Sequence, residues 1–333
     1  MRQRLQRAWL RRGALAWLLW PLSLVFRALV ALRRRLYRSG RLKSDRLPVP
    51  VVVVGNVVAG GAGKTPVLLA LLEHLRARGL RAGVISRGYG RASRDCLEVS
   101  GASQPEQVGD EPLLVQRAAA VPVVVAKSRI EAGRALLAAH PDVQVIVCDD
   151  GLQHLALQRD IELCVFDARG IGNGWLQPAG PLREPWPRSV DFVLTDSAFV
   201  PGTKCFTVER ELAPLVCNSS GQRVPLETLR GRPLLAVAGI ANPPSFFRML
   251  REQQLALECT FALPDHYDFS GAPLPLDPAM TVVCTEKDAV KLWRTRPDAW
   301  AVPLVVRIDA AFWPDFDRQL DATLSSAHGS ETA

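Results

Sequence analysis

Residues 48–66 read PVPVVVVGNVVAGGAGKTP. The run Val51 to Val54 is short, β-branched at every position and closed by Gly55, the pattern of a strand buried on both faces. From Lys64 to Arg78 the apolar residues return at helical spacing. A strand, a glycine-rich turn and a helix, in that order, predict a phosphate-binding loop. Backbone N–H groups from Val58, Ala59, Gly60, Gly61, Ala62 and Gly63 close around a β-phosphate, Lys64 adds a point charge for the β- and γ-phosphates, and Thr65 offers a hydroxyl to Mg²⁺. The full GxxxxGK[ST] pattern wants glycine at position 58. Val58 makes this loop a variant in which Gly60, Gly61 and Gly63 carry the close approach.

Further apolar runs follow on both sides of this unit: AGVIS (82–86), VPVVVA (121–126), VQVIVCDD (143–150), IELCVFD (161–167) and VDFVLTD (190–196). Helical or glycine-rich stretches separate most of them. This alternation predicts an α/β fold: a P-loop NTPase-like, mostly parallel sheet with helices on both faces. A second, smaller α/β set begins at RPLLAVAGI (232–240), with strands at TVVCT (281–285) and VPLVVRID (302–309) and a helix to about residue 325. Turn-forming residues around 218–231 predict a linker. The expected organisation is therefore a basic and apolar segment over 1–46, a P-loop domain over 47–217, a linker over 218–231, a smaller domain over 232–326 and a frayed tail over 327–333.

The chain of 333 residues carries a net charge of +8, unevenly spread. Residues 1–46 hold thirteen arginines and lysines against Asp45, a net of +12, which leaves −4 on the remainder. Within that segment GALAWLLWPLSLVF (13–26) is apolar and RRRLYRSGRLK (33–43) follows at once. Basic flanks around an interrupted apolar stretch predict a helix in the cytoplasmic membrane interface, with Trp17 and Trp20 at headgroup depth. A membrane span is the alternative. A signal peptide fits poorly because the charge beyond the apolar run opposes translocation. Nucleic acid is not an expected partner, since phosphate-binding arms do not need an apolar stretch, and no protein partner is legible. Seven cysteines form neither a CxxC pair nor a zinc spacing, so reduced, mostly buried thiols are expected.

Three acidic clusters could carry chemistry. Asp149 and Asp150 end a hydrophobic strand, where open α/β sheets keep their ligands, and one of them is expected to orient Mg²⁺. Asp110 and Glu111 open a helix in GDEP (109–112), either as a capping pair or as a carboxylate near an attacking hydroxyl. Asp265 and His266 lie in PDHYDF (264–269), where acidic and aromatic neighbours raise the prospect of function. Arg87 and Arg91 in SRGYGR (86–91) follow a strand and could grip phosphate or sugar; a solvated arginine turn is the ordinary alternative.

Taken together, GN followed by GGAGKTP (60–66), then SRGYGR, GDEP, DDGLQHLALQRD (149–160), NGWLQPAGPLREP (173–185), DHYDF and TEKDAVKL (285–292) resemble the tetraacyldisaccharide 4′-kinases of Gram-negative bacteria, over nearly the whole chain. The resemblance implies transfer of the ATP γ-phosphate to the 4′-hydroxyl of a tetraacyl glucosamine disaccharide 1-phosphate, giving lipid IVA at the inner face of the inner membrane. It further implies that Asp110 is the base, that His266 is its dyad partner, and that Asp149, Glu111 and Thr65 are on the metal side. Asp150, Tyr89 and Asn173 match positions near the reacting groups. A membrane-associated P-loop ATPase or GTPase is the rival reading. Guanine recognition usually needs [NT]KxD, and in TEKD (285–288) the lysine comes one place late.

Overall fold

The computed structural model describes residues 9–196, 205–269 and 279–329. Arg2, Arg4 and Arg7 of the basic segment and residues 330–333 of the expected tail lie outside the described residues.

The valine run becomes β1 (Val51–Gly55), buried at every position, and the glycine-rich turn leads into α2 (Lys64–Ala77). Preceding both is α1 (Ala14–Arg38). Next come β2 (Ala82–Ser86), β3 (Leu97–Glu98), α3 (Pro105–Val108), α4 (Asp110–Ala119), β4 (Val123–Val125), α5 (Arg129–Ala139), β5 (Val145–Asp149), β6 (Ile161–Phe166), β7 (Phe192–Thr195) and β8 (Cys205–Leu212). The smaller unit contains β9 (Leu215–Cys217), β10 (Arg223–Pro225), β11 (Leu234–Ala238), α6 (Pro243–Glu252), β12 (Leu257–Ala262), β13 (Thr281–Thr285), α7 (Glu286–Leu292) and β14 (Trp300–Val302). Finally, β15 (Leu304–Ile308) and α8 (Phe312–Gly329) close the described chain.

Nine strands form the larger sheet in the order β15-β8-β7-β6-β1-β5-β2-β4-β3. Only the two edge pairings, β15 with β8 and β3 with β4, are antiparallel. The central strands bury every residue because helices cover both faces. One face packs on α2, α4 and α8, where Phe312, Phe316 and Leu320 recur every fourth residue as a fully buried stripe. The other face packs on α5, on Leu152 and Leu157, and on the segment 171–190. Six strands in the order β10-β9-β14-β13-β11-β12 form the smaller sheet, with β11 to β14 parallel.

Two expectations about boundaries differ from this arrangement. Residues 302–309 and the helix after them were expected with the smaller unit, yet β15 pairs with β8 and α8 packs on the larger sheet. The apolar stripe of α8 needs an aromatic partner surface, and Phe192 and Phe206 on β7 and β8 supply it. Residues 218–231, read as a linker, contain β10 and a 3₁₀ turn (Leu226–Leu229) whose Leu226 and Leu229 are buried in the smaller core.

The N-terminal apolar stretch is one continuous helix rather than a broken one. By length and composition α1 is able to cross a membrane. Only Ala16 and Ser23, seven residues apart and so on one face, are buried. Ser23 Oγ donates to the Leu176 carbonyl at 2.8 Å and accepts from the Ala179 N–H at 2.9 Å. Leu18, Leu22, Val25 and Leu29 face outward, each more than half exposed.

Candidate active site

Parallel pairing sets the site. Val54 of β1 is in register with Asp149 of β5, so the turn after β1 and the acids after β5 emerge side by side at the carboxyl edge of the sheet. The turn is gripped from outside: Asn56 Nδ2 donates to the Gly60 carbonyl at 3.3 Å, Arg169 Nη2 to Gly61 at 2.6 Å and Arg210 Nη2 to Ala62 at 3.0 Å. With the carbonyls so engaged, the N–H groups of Gly60 to Gly63 make no hydrogen bond among the described residues, which leaves them free to receive an anion. Val58 and Ala59 do not share this role. Val58 is buried and bridges Leu182, and the Ala59 N–H is taken by the Pro181 carbonyl at 2.8 Å. An apolar side chain is therefore what position 58 requires here.

Lys64 reaches Asp150 at 3.6 Å, and Arg183 Nη1 donates to the same carboxylate at 3.0 Å. Burial opposes ionisation of Asp150, but Lys64 and Arg183 outweigh it and hold the group below the ordinary aspartate value. Asp149 behaves oppositely. Burial and then the Glu111 carboxylate push it up to about 6, although Ser86 Oγ donates to it at 3.0 Å. Beneath both acids lies Arg129, itself buried, whose Nη2 donates to the Asp149 carbonyl at 3.1 Å.

The fold implies Mg²⁺, and the residues fit it. Asp149, Glu111 and the Thr65 hydroxyl are hard oxygen donors, and a buried Asp149 whose ionisation the Glu111 carboxylate opposes makes a place where a divalent cation is favoured. Among the described residues no group of three or more His, Cys, Asp or Glu gathers. That suits an ion that takes one or two carboxylates and completes its shell with phosphate oxygens and water.

Asp110 opens α4 and is buried. His266, in the loop after β12, places Nδ1 3.1 Å from Asp110 Oδ2, and Lys291 Nζ donates to that oxygen at 2.8 Å. Burial would raise the Asp110 carboxyl, but the hydrogen bonds from His266 and Lys291 prevail and lower it. Lys287 Nζ lies 3.3 Å from His266 Nε2, 3.3 Å from Glu111 and 3.1 Å from Asp265. A lysine ammonium only donates, so Nε2 accepts and the imidazole proton is assigned to Nδ1, facing Asp110. Both contacts to Asp110 fall on Oδ2; Oδ1 has none among the described residues.

Tyr89 is set beside this dyad by glycine. Gly88 and Gly109 have φ of 67° and 94°, and a Cβ on Gly88 would meet the Val108 carbonyl at 2.5 Å. Backbone thus packs on backbone, and the Tyr89 ring lies 5.2 Å from that of His266. Arg87, Tyr89, Asp110, Glu111, Asp149, Asp150, Lys64 and Thr65 share one edge of the larger sheet, and His266 meets them from the smaller one. Asn173 lies in the loop that follows β6, where its side chain donates to the Ala179 carbonyl and accepts from the Trp175 N–H. Lys287, Lys291, Arg129 and Arg183 carried no expectation. The spacing of the two lysines by four residues on a short capped helix was the signal available for that pair.

A glycine cradle closed by Lys64 and Thr65, strand-end acids and a buried carboxylate–histidine pair facing the same edge define a P-loop phosphotransferase. A family model described as tetraacyldisaccharide-1-P 4′-kinase matches residues 15–325. A tetraacyldisaccharide 4′-kinase of Acidovorax sp. (strain JS42) is 61% identical over 327 residues, covering 98% of this chain and 97% of that one. Its counterpart in Delftia acidovorans (strain DSM 14801 / SPH-1) is 55% identical over 320 residues, covering 96% and 95%. The crystal structure of the "apo" form of LpxK from Aquifex aeolicus in complex with ATP superposes with a TM-score of 0.80 at 30% identity, over 93% of this chain and 99% of that one. The chain belongs to the tetraacyldisaccharide 4′-kinase family.

Proposed function

We infer that this protein transfers the γ-phosphate of ATP to the 4′-hydroxyl of a tetraacyl glucosamine disaccharide 1-phosphate, giving lipid IVA at the cytoplasmic face of the inner membrane. The observation that carries this reading is the Asp110–His266 pair on the edge that also holds Lys64 and Asp149. A hydrolase would need only a positioned water. A buried carboxylate with one oxygen engaged by His266 and Lys291 suits a sugar hydroxyl brought to the other.

In this reading Asp110 Oδ1 takes the proton as the hydroxyl oxygen bonds to the γ-phosphorus and the bond to the bridging oxygen of ADP breaks. Asp110, ionised at neutral pH, is a weak base, but phosphoryl transfer relies mainly on alignment and charge neutralisation. His266 fixes the carboxylate's orientation, Lys64 neutralises phosphate charge, and Asp150 holds Lys64 in place. Asp149, Glu111 and Thr65 would hold Mg²⁺, which supplies charge neutralisation at the phosphates. The larger sheet is read as the nucleotide-holding body and the smaller as the carrier of His266, Lys287 and Lys291.

A lipid with four acyl chains stays in the bilayer, since each buried CH₂ contributes about 0.8 kcal/mol. The outward apolar face of α1 supports membrane association. The guanine-nucleotide alternative is disfavoured by Asp288. It is 3% exposed, accepting from the Gly239 N–H at 2.9 Å and from the hydroxyl of Thr285, the N-cap of α7, so its carboxylate ties α7 to the end of β11 rather than facing a base. ATP turnover measured with and without the lipid acceptor tests the reading. ADP formation should depend on acceptor; equal turnover in its absence would sink it.

A further inference from the structure

Lys287 and Lys291 are four residues apart on α7, so both side chains leave the helix on one face. That face meets the start of α4, and each lysine reaches one half of the Asp110–His266 pair. Lys291 Nζ donates to Asp110 Oδ2 at 2.8 Å. Lys287 Nζ has three neighbours: Asp265 at 3.1 Å, Glu111 at 3.3 Å and His266 Nε2 at 3.3 Å. An ammonium has three N–H groups and no lone pair, so these contacts use every donor it has. A proton on His266 Nε2 would face one of them, donor against donor. Asp265 Oδ1 lies 3.8 Å from Nε2, beyond hydrogen-bonding distance, and is already taken by Lys287.

The ring and the lysine are placed by the same residue. His266 holds φ of 61°, a left-handed conformation uncommon for a residue with a Cβ, and its N–H donates to the Gly239 carbonyl at 3.2 Å. Asp288, on α7 beside Lys287, accepts from the Gly239 N–H at 2.9 Å. The loop that carries His266 and the helix that carries Lys287 are thus tied to one peptide segment at the end of β11. Tyr89 lies against the ring from the larger unit, 5.2 Å away. With ring and lysine both held, the hydrogen bond made by one ring nitrogen decides what the other carries.

We propose that Lys287 is a positioning residue for phosphoryl transfer: by donating to His266 Nε2 it keeps the imidazole proton on Nδ1, facing Asp110. This rests on the kinase reading above. The consequence falls on Asp110. An Nδ1–H donates to Oδ2 and leaves Oδ1 as the acceptor for the proton of the incoming hydroxyl. Were the proton on Nε2, the bare Nδ1 would face the carboxylate lone pair against lone pair. The pair would then part, or Asp110 would carry a proton of its own and cease to be a base. Glu111 and Asp265 hold the ammonium in this place, so the acid next to Asp110 in the chain helps to fix the proton on its partner.

Full-length protein labelled with ¹⁵N in histidine is studied in detergent micelles. The chain has five histidines, and His266→Gln identifies the signals of this one. Long-range ¹H–¹⁵N correlation separates a ring nitrogen that bears hydrogen from one that does not, and wild type should show the proton on Nδ1. Lys287→Met, which keeps the length and loses the donor, should move it wholly or partly to Nε2. It should also lower kcat on the order of 10- to 10²-fold, with the KM for ATP within about twofold of wild type. Lys287→Ala is measured beside it in case the thioether is not accommodated, and Lys287→Arg, which restores a donor, should return the proton to Nδ1 and recover part of kcat. A wild-type spectrum with the proton on Nε2 would overturn the proposal and needs no variant. So would a folded Lys287→Met in which only one of the two changes occurs, or neither. If wild type transfers no phosphate to the lipid while Nδ1 carries the proton, the kinase reading fails and the role of Lys287 in transfer with it, whereas the proton assignment stands.

Discussion

His266 Nδ1 lies 3.1 Å from Asp110 Oδ2, joining a loop of the smaller sheet to a helix packed on the larger one. Two residues acting as one unit lose activity non-additively. Asp110→Asn should lower kcat on the order of 10² to 10⁴-fold and His266→Ala on the order of 10²-fold. The double variant should be little worse than Asp110→Asn. Steady-state kinetics on folded protein checks this, and simple multiplication of the two losses would argue against a dyad.

Glu184 accepts from Arg34 at 2.7 Å, from Gln153 at 2.8 Å and from Arg188 at 3.2 Å, and its side chain is 4% exposed. Glu184→Ala would strand the partly buried Arg34 and leave Arg188 with Glu162 as its remaining carboxylate. A loss of about 3–5 kcal/mol is expected. Chemical denaturation in detergent measures it, and a change under 1 kcal/mol would show that the arginines find other partners.

His154 is the group whose titration should be visible in stability. Burial, then the surrounding charges of Arg129, Arg33, Arg159 and Arg87, push its pKa down to about 4. The Arg129 N–H donates to Nε2 at 3.3 Å, consistent with a neutral ring. Unfolded, the imidazole takes its proton near 6.5. Between roughly pH 6.5 and 4 this imidazole therefore binds more protons in the unfolded chain, and its contribution to stability falls as pH falls; above 6.5 it contributes no slope. His154→Gln should flatten that part of the melting-temperature profile, whereas an unchanged slope would place its origin elsewhere.

Much of this architecture is legible in residues 48–66 and in the strand runs that follow, because buried parallel strands and a glycine-rich turn each have a local signature. Asp149 and Asp150 were readable for the same reason, as acids ending an apolar run. Lys287, Lys291, Arg129 and Arg183 were not. A cation's partner is chosen by folding, and nothing in its neighbours names an acceptor that lies 20 residues away for Arg129, 33 for Arg183, 176 for Lys287 and 181 for Lys291. Likewise the return of β15 to the larger sheet depends on β8 offering an edge, which the residues of β15 do not encode.

Gly88 ties two motifs together through backbone contact. Alanine there would meet the Val108 carbonyl at 2.5 Å while holding φ near 67°. Gly88→Ala should displace Tyr89 and the start of α4, cutting kcat at least tenfold while the global melting temperature moves by only a few degrees. Full activity would mean that the loop and the helix move apart without consequence.

Leu18, Leu22, Val25 and Leu29 form the outward face of α1. Replacing Leu18, Leu22 and Val25 by serine should release the protein from lipid vesicles in a flotation assay, since each such side chain contributes about 1.5–3 kcal/mol when buried in an apolar phase. Undiminished flotation would assign membrane attachment to another surface.

The most direct measurement is transfer of labelled γ-phosphate from ATP to a tetraacyl disaccharide 1-phosphate in micelles, with the labelled position determined on the product. One label per ADP, on the 4′-oxygen and lost in Lys64→Ala and Asp110→Asn, is the expected result. ADP formed without labelled lipid, or label that persists in Asp110→Asn, would contradict it.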